Sequence, residues 1–215
     1  PSAAGLDIGR NGPGLRAPWG QRGSPVRNFC RFIESVELDF PAWQEAFETN
    51  AKLHQLADPV FSPAGYHCYY NDAVKPGYSG TALYSRVKPQ RVTSSLGWDP
   101  LDSEGRYLQA DYKGLSVISL YLPSGSSSEE AQQKKYRFMD TFLEHLRAMR
   151  RKRREFIICA DWNICHREID LKNWRANQKN SGFLPEERAW MDEVFGKHRY
   201  VDAFRTLDQE PHQYT

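Results

Sequence analysis

The sequence lacks the features that mark membrane-spanning, secreted or zinc-binding proteins. None of its apolar runs approaches the ~20 residues that a membrane-spanning helix needs. Residues 1–26 are rich in Gly, Pro and Arg, where a secretory signal would have an apolar core. Cys30, Cys68, Cys159 and Cys165 have neither CxxC nor zinc-ligand spacing. We therefore expect free thiols in an intracellular protein without a leader.

The chain also has little net charge. Its 29 Lys and Arg residues nearly balance 27 Asp and Glu residues, which leaves +2 and does not by itself indicate a nucleic-acid partner. The positive charge is nevertheless clustered, in a continuous block at 150–154 and more loosely at Lys172, Arg175 and Lys179. Such a block fits either a polyanion or a solvated face, and the sequence leaves both interpretations open.

The composition predicts one globular domain after an irregular start. The chain has 215 residues, of which 40% are hydrophobic and 26% charged. Residues 1–30 contain six Gly and four Pro without an apolar period, so we predict an irregular segment there and a single domain over 31–215. At the start of that domain we expect a short helix at 29–36, a strand at 39–43 and a weak helix at 49–57.

Further along the chain, apolar residues recur with the periods of strands and helices. Ser127 and Glu130 have the spacing of a capping box and precede an apolar stripe, which predicts a long helix that ends in the basic block. Pro185 predicts the start of a second helix, after a polar loop over 165–183. The alternation of these elements indicates an α/β or α+β class. The predicted strands are 80–85, 107–112, 115–122 and 156–160, the last buried on both faces.

Asp161 and Asn163 directly follow the predicted strand at 156–160. Residues i and i+2 of an extended segment point to the same side, so both side chains are expected at the carboxyl end of that strand. A carboxylate there can orient or deprotonate water, and an amide can hydrogen-bond a phosphoryl oxygen. The same two residue types are also common in turns, and spacing alone favours that simpler interpretation.

Three weaker candidates complete the possible site. Tyr121 ends a predicted strand before a Gly-containing turn, where its phenol could donate to a phosphate or lie at the edge of the core. Glu45 carries the carboxylate oxygen that Mg²⁺ prefers, although Glu48 is close enough to be the ligand instead. The segment 172–180 mixes cations, amides and an aromatic residue, a mixture suited to phosphate contacts and to insertion at a disturbed duplex. Its side chains of interest are Lys172, Asn173, Trp174, Arg175, Asn177 and Lys179.

Several strings of the sequence resemble the exonuclease III class of the endonuclease/exonuclease/phosphatase superfamily. The resemblance covers residues 31–215 with the strings in the family's order, and the later strings are long and specific. They are GYSG (77–80), ALYS (82–85), EGRY (104–107), LSVISLYLPSG (115–125), ADWNI (160–164), DLKNW (170–174) and NQKNSGFLPEER (177–188).

The resemblance implies a four-layered α/β/β/α sandwich that hydrolyses DNA phosphodiesters at abasic sites and 3′ ends. It implies Mg²⁺ as cofactor, leaves Mn²⁺ open as an alternative, and implies double-stranded DNA as the partner of a cytoplasmic, nucleoid-associated monomer. Carried over by position, Glu45 and Asn11 are similar to metal ligands and Tyr121 to a phosphate-contacting tyrosine. Asp161 resembles the carboxylate that orients the attacking water, and Asn163 the amide that steadies the phosphoryl group.

The sequence departs from the family pattern at three places. The family's N-x-N-G-x-R motif corresponds to residues 11–16, where Pro13 replaces the second Asn. Glu45 precedes a longer junction than usual, which keeps Glu48 as an alternative ligand. Family members continue past Thr215 through further strands that carry a paired Asp and His, so we expect reduced turnover from the sequence as printed.

Two other functions remain as alternatives to a nuclease. Catabolite-repression-control regulators share this fold, and strings such as RKRRE at 151–155 and YVDA at 200–203 are similar to theirs. Those non-catalytic regulators act through RNA–protein complexes and lack the Asp-Trp-Asn signature that this chain has at 161–163. That signature favours the nuclease. The third possibility is a product without activity of its own.

Overall fold

The fold is described from a computed structural model. It describes residues 62–75, 78–99 and 101–211, together with the backbone of 44–48. The predicted irregular segment at 1–30, the short helix at 29–36, the strand at 39–43 and the weak helix at 49–57 lie outside these residues.

Two β-sheets form the centre of the molecule. The first is antiparallel, with strand order β1-β3-β2. The second has the order β4-β5-β6-β7, with antiparallel pairs except for the parallel pair of β6 and β7. The strands are β1 (Gln44–Glu48), β2 (His67–Asp72), β3 (Gly80–Ser85), β4 (Arg91–Thr93), β5 (Tyr107–Asp111), β6 (Leu115–Tyr121) and β7 (Glu155–Asp161).

The helices connect and follow these strands. The long helix joins the parallel strands β6 and β7, and the shorter helices come after β7. They are α1 (Glu129–Arg150), α2 (Trp174–Asn177), α3 (Pro185–Asp192) and α4 (Ala203–Leu207), and α3 continues into a wider turn over Glu193–Lys197. Among the described residues, no helix is long and apolar enough to span a membrane.

Alternation along β6 divides the core into two layers. Val117 packs with Leu83 of β3 and Leu108 of β5, between the two sheets. Ile118 and Leu120 point to the opposite face and pack against the helices. This period of two is what a strand covered on both faces requires. The predicted α/β class is therefore confirmed, and the described residues supply one helical layer and two sheet layers of the expected sandwich.

Helix α1 forms because its apolar residues recur at helical spacing. Its buried stripe packs on β6 and on α3, and includes Phe138, Phe142, Leu146 and Met149. The prediction that Ser127 and Glu130 form a capping box is wrong by one residue. Ser128 is the N-cap, and its hydroxyl accepts a hydrogen bond from the Ala131 N–H (3.2 Å).

Two other predictions are corrected by the structure. Strand β7 packs against the core on both faces, with Ile158 against the helices and Cys159 between the sheets, but its interior residues are only half-buried and both of its ends are exposed. Within the described part of the chain it pairs only with β6, so it lies at the edge of the sheet. The predicted loop at 165–183 contains a 3-10 turn over Glu168–Asp170 and the short helix α2.

Replacing Ser128 with Ala tests the position of the helix start. Ser128→Ala removes the acceptor for the Ala131 N–H, and we expect the free energy of unfolding to fall by about 1 kcal/mol. Ser127→Ala is the matched control, because Ser127 is exposed and precedes the cap. Urea unfolding of both variants gives the comparison. Equal losses would contradict the assignment of Ser128 as N-cap.

His145 is a half-buried group whose protonation is coupled to folding. Its ring lies edge-on to Trp98 (5.9 Å between centroids) and tilted to Phe142 (5.8 Å). Burial, with a smaller contribution from the positive charge of Lys152, lowers the pKa of His145 to about 4. The imidazole is consequently neutral in the folded protein near pH 5, where an unfolded histidine is protonated.

We expect His145 to make the protein less stable in mild acid. Between pH 6.5 and 4 the unfolded chain binds a proton at His145 that the folded chain excludes, so stability falls as the pH falls through this range. His145→Gln should therefore reduce the difference between urea midpoints at pH 7 and pH 5. His67→Gln, at an exposed position, serves as control. An unchanged difference in His145→Gln would contradict the depressed pKa.

Candidate active site

The carboxyl ends of β6 and β7 bring Tyr121 and Asp161 together. The parallel register places these two residues opposite each other, and the Leu122 N–H donates to the carbonyl oxygen of Asp161 (2.9 Å). Both residues occupy strand positions in phase with Val117 and Cys159, whose side chains face the first sheet. Asp161 is exposed, so its carboxylate lies at the surface where the two strands end.

Asn163 is held beside Asp161 by three hydrogen bonds. Its backbone N–H donates to Asp161 Oδ1 (2.9 Å), and its side-chain Nδ2 donates to the carbonyl oxygen of Leu122 (2.8 Å). Its own carbonyl accepts from Lys135 Nζ (2.7 Å). Asn163 has a left-handed backbone with φ of 48°, which Asn adopts more readily than most residues. Asp161 and Asn163 thus form a turn at the strand end.

A buried ion pair lies directly behind Asn163. Lys135 of α1 and Glu187 of α3 are both fully buried, with Nζ and Oε1 2.6 Å apart. Burial lowers the pKa of Lys135, while the carboxylate of Glu187 opposes that shift. The second oxygen of Glu187 accepts from the N–H groups of Gly182 (2.7 Å) and Leu184 (3.1 Å).

Sequence reasoning missed this pair, although a signal for Lys135 was present. Lys135 precedes Phe138, Met139 and Phe142 at helical spacing, so it occupies a position on the apolar stripe of α1. A lysine at such a position is ordinarily assumed to extend to solvent. Only the tertiary structure shows that its ammonium group reaches Glu187.

Positive charge lies beneath Tyr121. The buried Arg106 donates from Nη1 to the carbonyl oxygen of Tyr121 (3.2 Å), and its guanidinium carbon is 4.7 Å from the centre of the Tyr121 ring. Glu104 pairs with Arg106 (2.6 Å) and with Lys134. Burial alone would raise the pKa of Glu104, but the hydrogen bonds from Lys134 and Arg106 outweigh it and lower that pKa. This side of the site is therefore cationic.

The polar segment at 172–180 emerges next to the site. The Cys165 N–H donates to the carbonyl oxygen of Gly182 (2.8 Å), which closes the base of the excursion that carries α2. A Cβ added at Gly182 would lie 3.3 Å from the carbonyl oxygen of Asn163, so the base of this loop contacts the turn itself. The guanidinium of Arg175 stacks on the Trp174 ring at 4.9 Å.

The other predicted DNA-contacting residues of this loop are polar groups near its surface. Asn177 donates from Nδ2 to the Asn173 carbonyl oxygen (2.9 Å) and thereby supports the single turn of α2. Lys172, Asn173 and Lys179 are exposed. The structure therefore leaves these cations at the surface, on a loop whose base lies at Asn163.

Glu45 lies within β1, whereas the sequence placed it after a strand. In the register, Glu45 is opposite Tyr84 and Glu48 is opposite Thr81. The two glutamates are three residues apart on an extended strand, so they belong to opposite faces. Asn11 lies outside the described residues. Among the residues whose side chains are described, no group of three His, Cys, Asp or Glu is arranged to hold a metal ion.

The basic block at 150–154 lies at the opposite end of β7 from Asp161. The seven residues of β7 separate the two, a span of about 20 Å. Arg150 lies over the Tyr200 ring and Lys152 over the Phe156 ring. Arg154 donates to the carbonyl oxygens of Tyr112 and Leu115, each at 2.7 Å. These contacts support a structural role for part of the block.

The sequence is similar to a known protein family. The model of the Endonuclease/Exonuclease/phosphatase family matches residues 25–212. This is most of the chain. The protein belongs to the endonuclease/exonuclease/phosphatase family. The resemblance inferred from the strings of the sequence is thus confirmed, and the family is one of divalent-metal-dependent nucleases.

Two curated relatives narrow the class. An exodeoxyribonuclease of Bacillus subtilis (strain 168) is 36% identical over 178 residues, which cover 83% of this chain and 68% of the relative. A DNA-(apurinic or apyrimidinic site) endonuclease of Dictyostelium discoideum is 30% identical over 187 residues, and only 48% of its length is covered. These relatives support the assignment to the exonuclease III and AP endonuclease class of nuclease hydrolases.

Solved structures show the same fold. An AP endonuclease from Archaeoglobus fulgidus superposes with a TM-score of 0.67 over 84% of this chain and 70% of that chain, at 22% sequence identity. A 3′-5′ exonuclease from Neisseria meningitidis gives the same TM-score at 20% identity, over 86% of this chain. The fold is therefore shared with an AP endonuclease and with a 3′-5′ exonuclease.

Proposed function

We propose that this protein hydrolyses DNA phosphodiesters at abasic sites and at 3′ ends in a Mg²⁺-dependent reaction. The observation that carries the proposal is the convergence of Tyr121, Asp161 and Asn163 at the carboxyl ends of two adjacent parallel strands. The relatives named as an exodeoxyribonuclease and as an apurinic or apyrimidinic endonuclease support both forms of the activity.

In this mechanism Asp161 orients and deprotonates the attacking water. Its Oδ1 accepts the Asn163 N–H, so the carboxylate has a fixed orientation at the exposed edge of the sheet. The second carboxylate oxygen can then accept a proton from a water aligned with the scissile P–O bond. In-line attack on phosphorus breaks the P–O bond to the leaving sugar oxygen, which takes up a proton from solvent. The proton of the attacking water resides on Asp161 until solvent removes it.

Asn163 and Tyr121 bind the phosphoryl oxygens. One hydrogen of the Asn163 amide is donated to the Leu122 carbonyl, and an amide has a second hydrogen that can be donated to a phosphoryl oxygen. The Tyr121 phenol contributes a further donor. Arg106 beneath the Tyr121 ring adds positive potential, which favours the charge that develops on the phosphoryl group.

The residues predicted for the metal have the chemistry that Mg²⁺ requires. Glu45 and Asn11 would supply a carboxylate and an amide oxygen, an oxygen-only donor set typical of hard divalent cations. A bound Mg²⁺ would neutralise and polarise the scissile phosphate. The substrate itself would be held by the loop residues Lys172, Asn173, Trp174, Arg175, Asn177 and Lys179.

The proposal extends to the organisation of the protein. We infer one catalytic domain over 31–215, preceded by an irregular segment at 1–30, that works as a monomer on double-stranded DNA in the cytoplasm. A stoichiometric complex of one chain per abasic duplex in analytical ultracentrifugation would support this arrangement.

Asp161→Asn tests the assigned water-activating group. The variant keeps an oxygen for the Asn163 N–H but cannot take a proton, so we expect incision of a duplex with one abasic site to fall on the order of 10²- to 10⁴-fold. Incision is measured on an end-labelled duplex with Mg²⁺ and with EDTA. Asp140→Asn, which makes the same charge change on the exposed surface of α1, should retain the wild-type rate.

The same assay separates the nuclease from the alternatives. Metal-dependent incision that is lost in Asp161→Asn supports the proposal. A folded wild-type protein that cuts neither abasic duplexes nor 3′ ends would overturn it, and RNA binding by that protein would then favour the regulator.

Paired substitutions decide between the two candidate metal ligands in β1. If Glu45 is the ligand, Glu45→Gln should raise the Mg²⁺ concentration for half-maximal incision by at least about 10-fold, because even a supporting residue of a metal site changes affinity by that amount. Glu48→Gln should leave this concentration unchanged. The opposite result would assign the ligand to Glu48.

A further inference from the structure

A buried ion pair contacts Asn163 from behind the site, on the side away from solvent. Lys135 Nζ lies 2.7 Å from the Asn163 carbonyl oxygen and 2.6 Å from Glu187 Oε1, and neither charged side chain is accessible to solvent. The Lys135 ammonium is therefore bonded on one side to its counter-ion and on the other to the turn that carries Asn163.

Stability alone is a weak reason for such a pair. Removing two charges from water is costly, and well-packed apolar residues of similar volume often replace a buried ion pair without loss. The second hydrogen bond of Lys135 is the distinctive feature. That bond holds the carbonyl of Asn163, which is one of the two non-glycine residues with positive φ in the described part of the chain, together with Arg199.

Glu187 extends the same restraint to the neighbouring loop. Its Oε2 accepts the N–H groups of Gly182 and Leu184, and its Oε1 also accepts from Gln132 Nε2 (3.0 Å). Gly182 in turn approaches the Asn163 carbonyl so closely that an added Cβ would be 3.3 Å from it. One ion pair consequently ties α1 and α3 both to the turn of Asn163 and to the base of the loop at 172–180.

We propose that Lys135 and Glu187 are positioning residues that fix the direction of the Asn163 amide and the base of the loop at 172–180. The inference rests on the function proposed above. Neither side chain reaches solvent, so neither touches substrate. They act through Asn163. Because Lys135 binds the Asn163 carbonyl oxygen, the turn does not relax and Asn163 Nδ2 keeps its bond to Leu122. The second hydrogen of this amide therefore keeps its direction toward the phosphoryl oxygen.

The double variant Lys135→Met/Glu187→Gln removes the restraint on Asn163 and keeps the acceptor for the base of the loop, which limits the damage to folding. Met replaces the apolar stem of the lysine, and the amide oxygen of Gln can still accept the N–H groups of Gly182 and Leu184. Lys135→Met alone would leave the Glu187 carboxylate buried without its partner, and it is expected to destabilise the fold. The matched control is Met149→Ala, a buried position at the far end of α1 that does not contact Asn163.

Two readouts distinguish positioning from general stability. With an abasic duplex, we expect kcat of the double variant to fall about 10- to 100-fold with little change in KM, the cost of a misplaced catalytic group. We also expect amide hydrogen exchange, followed by NMR, to become faster at Asn163 but not at Gly182 and Leu184. Met149→Ala should lower Tm without either effect.

The outcomes separate this inference from the proposed function. If kcat of the double variant equals that of Met149→Ala at matched stability, or if exchange at Asn163 is unchanged, the positioning role is overturned. If the wild-type protein does not cut DNA, the proposed function fails by itself. Exchange at Asn163 then still decides whether the ion pair restrains the turn.

Discussion

The parallel pairing of β6 with β7 is the constraint on which the site depends. Antiparallel strands can be joined by a tight turn, but parallel strands need a long crossover, which here contains α1. Only parallel pairing brings two carboxyl ends to the same edge, where Tyr121 and Asp161 lie opposite each other. The apolar stripe of α1 packs on Ile118 and Leu120 and thereby holds the crossover against the sheet.

The turn at Asp161 and Asn163 bears on two interpretations that the sequence left as alternatives. Asp and Asn were expected either as turn formers or as chemical groups. In the structure the Asp161 carboxylate accepts the Asn163 N–H, as turn-forming Asp residues do, and this bond orients the Asp161 side chain at the exposed strand end. A separate bond to the Leu122 carbonyl oxygen orients the Asn163 amide. Turn chemistry and the proposed catalysis are therefore compatible, since the turn leaves the second oxygen of Asp161 and the second amide hydrogen of Asn163 outside these two bonds.

The periodicity of apolar residues predicted the strands whose limits are set by their own residues. Strand β3 over Gly80–Ser85 agrees with the prediction, and β5 and β6 each end one residue earlier than predicted, because alternation is a property of the strand itself. The helix cap was displaced because consecutive serines at 126–128 offer the same capping chemistry. The exposure of β7 depends on what pairs beside it, which no segment of its own sequence encodes.

The ion pair of Lys135 and Glu187 shows why part of the site was beyond sequence reasoning. A lysine on a helix and a glutamate in the first turn of another helix each have an ordinary surface explanation. Their burial follows only when α1 and α3 pack together and the loop before α3 places Gly182 against Asn163. Recognition of the family strings places Glu187 in a specific motif, but it does not reveal what the carboxylate contacts.

The cations of the chain are unevenly distributed around the proposed site. The largest basic cluster in the sequence, at 150–154, lies at the opposite end of β7, where Arg154 binds backbone carbonyls and Arg150 packs on Tyr200. The sparser cations of the loop at 172–180 are exposed, and Gly182 at the base of this loop contacts the turn of Asn163. For a polyanionic substrate, potential near the scissile bond matters more than the number of charges, because screening limits its range to about 10 Å. The base of the loop lies nearer to Asn163 than the denser block does, so we expect the charge of the loop to have the larger effect at the proposed site.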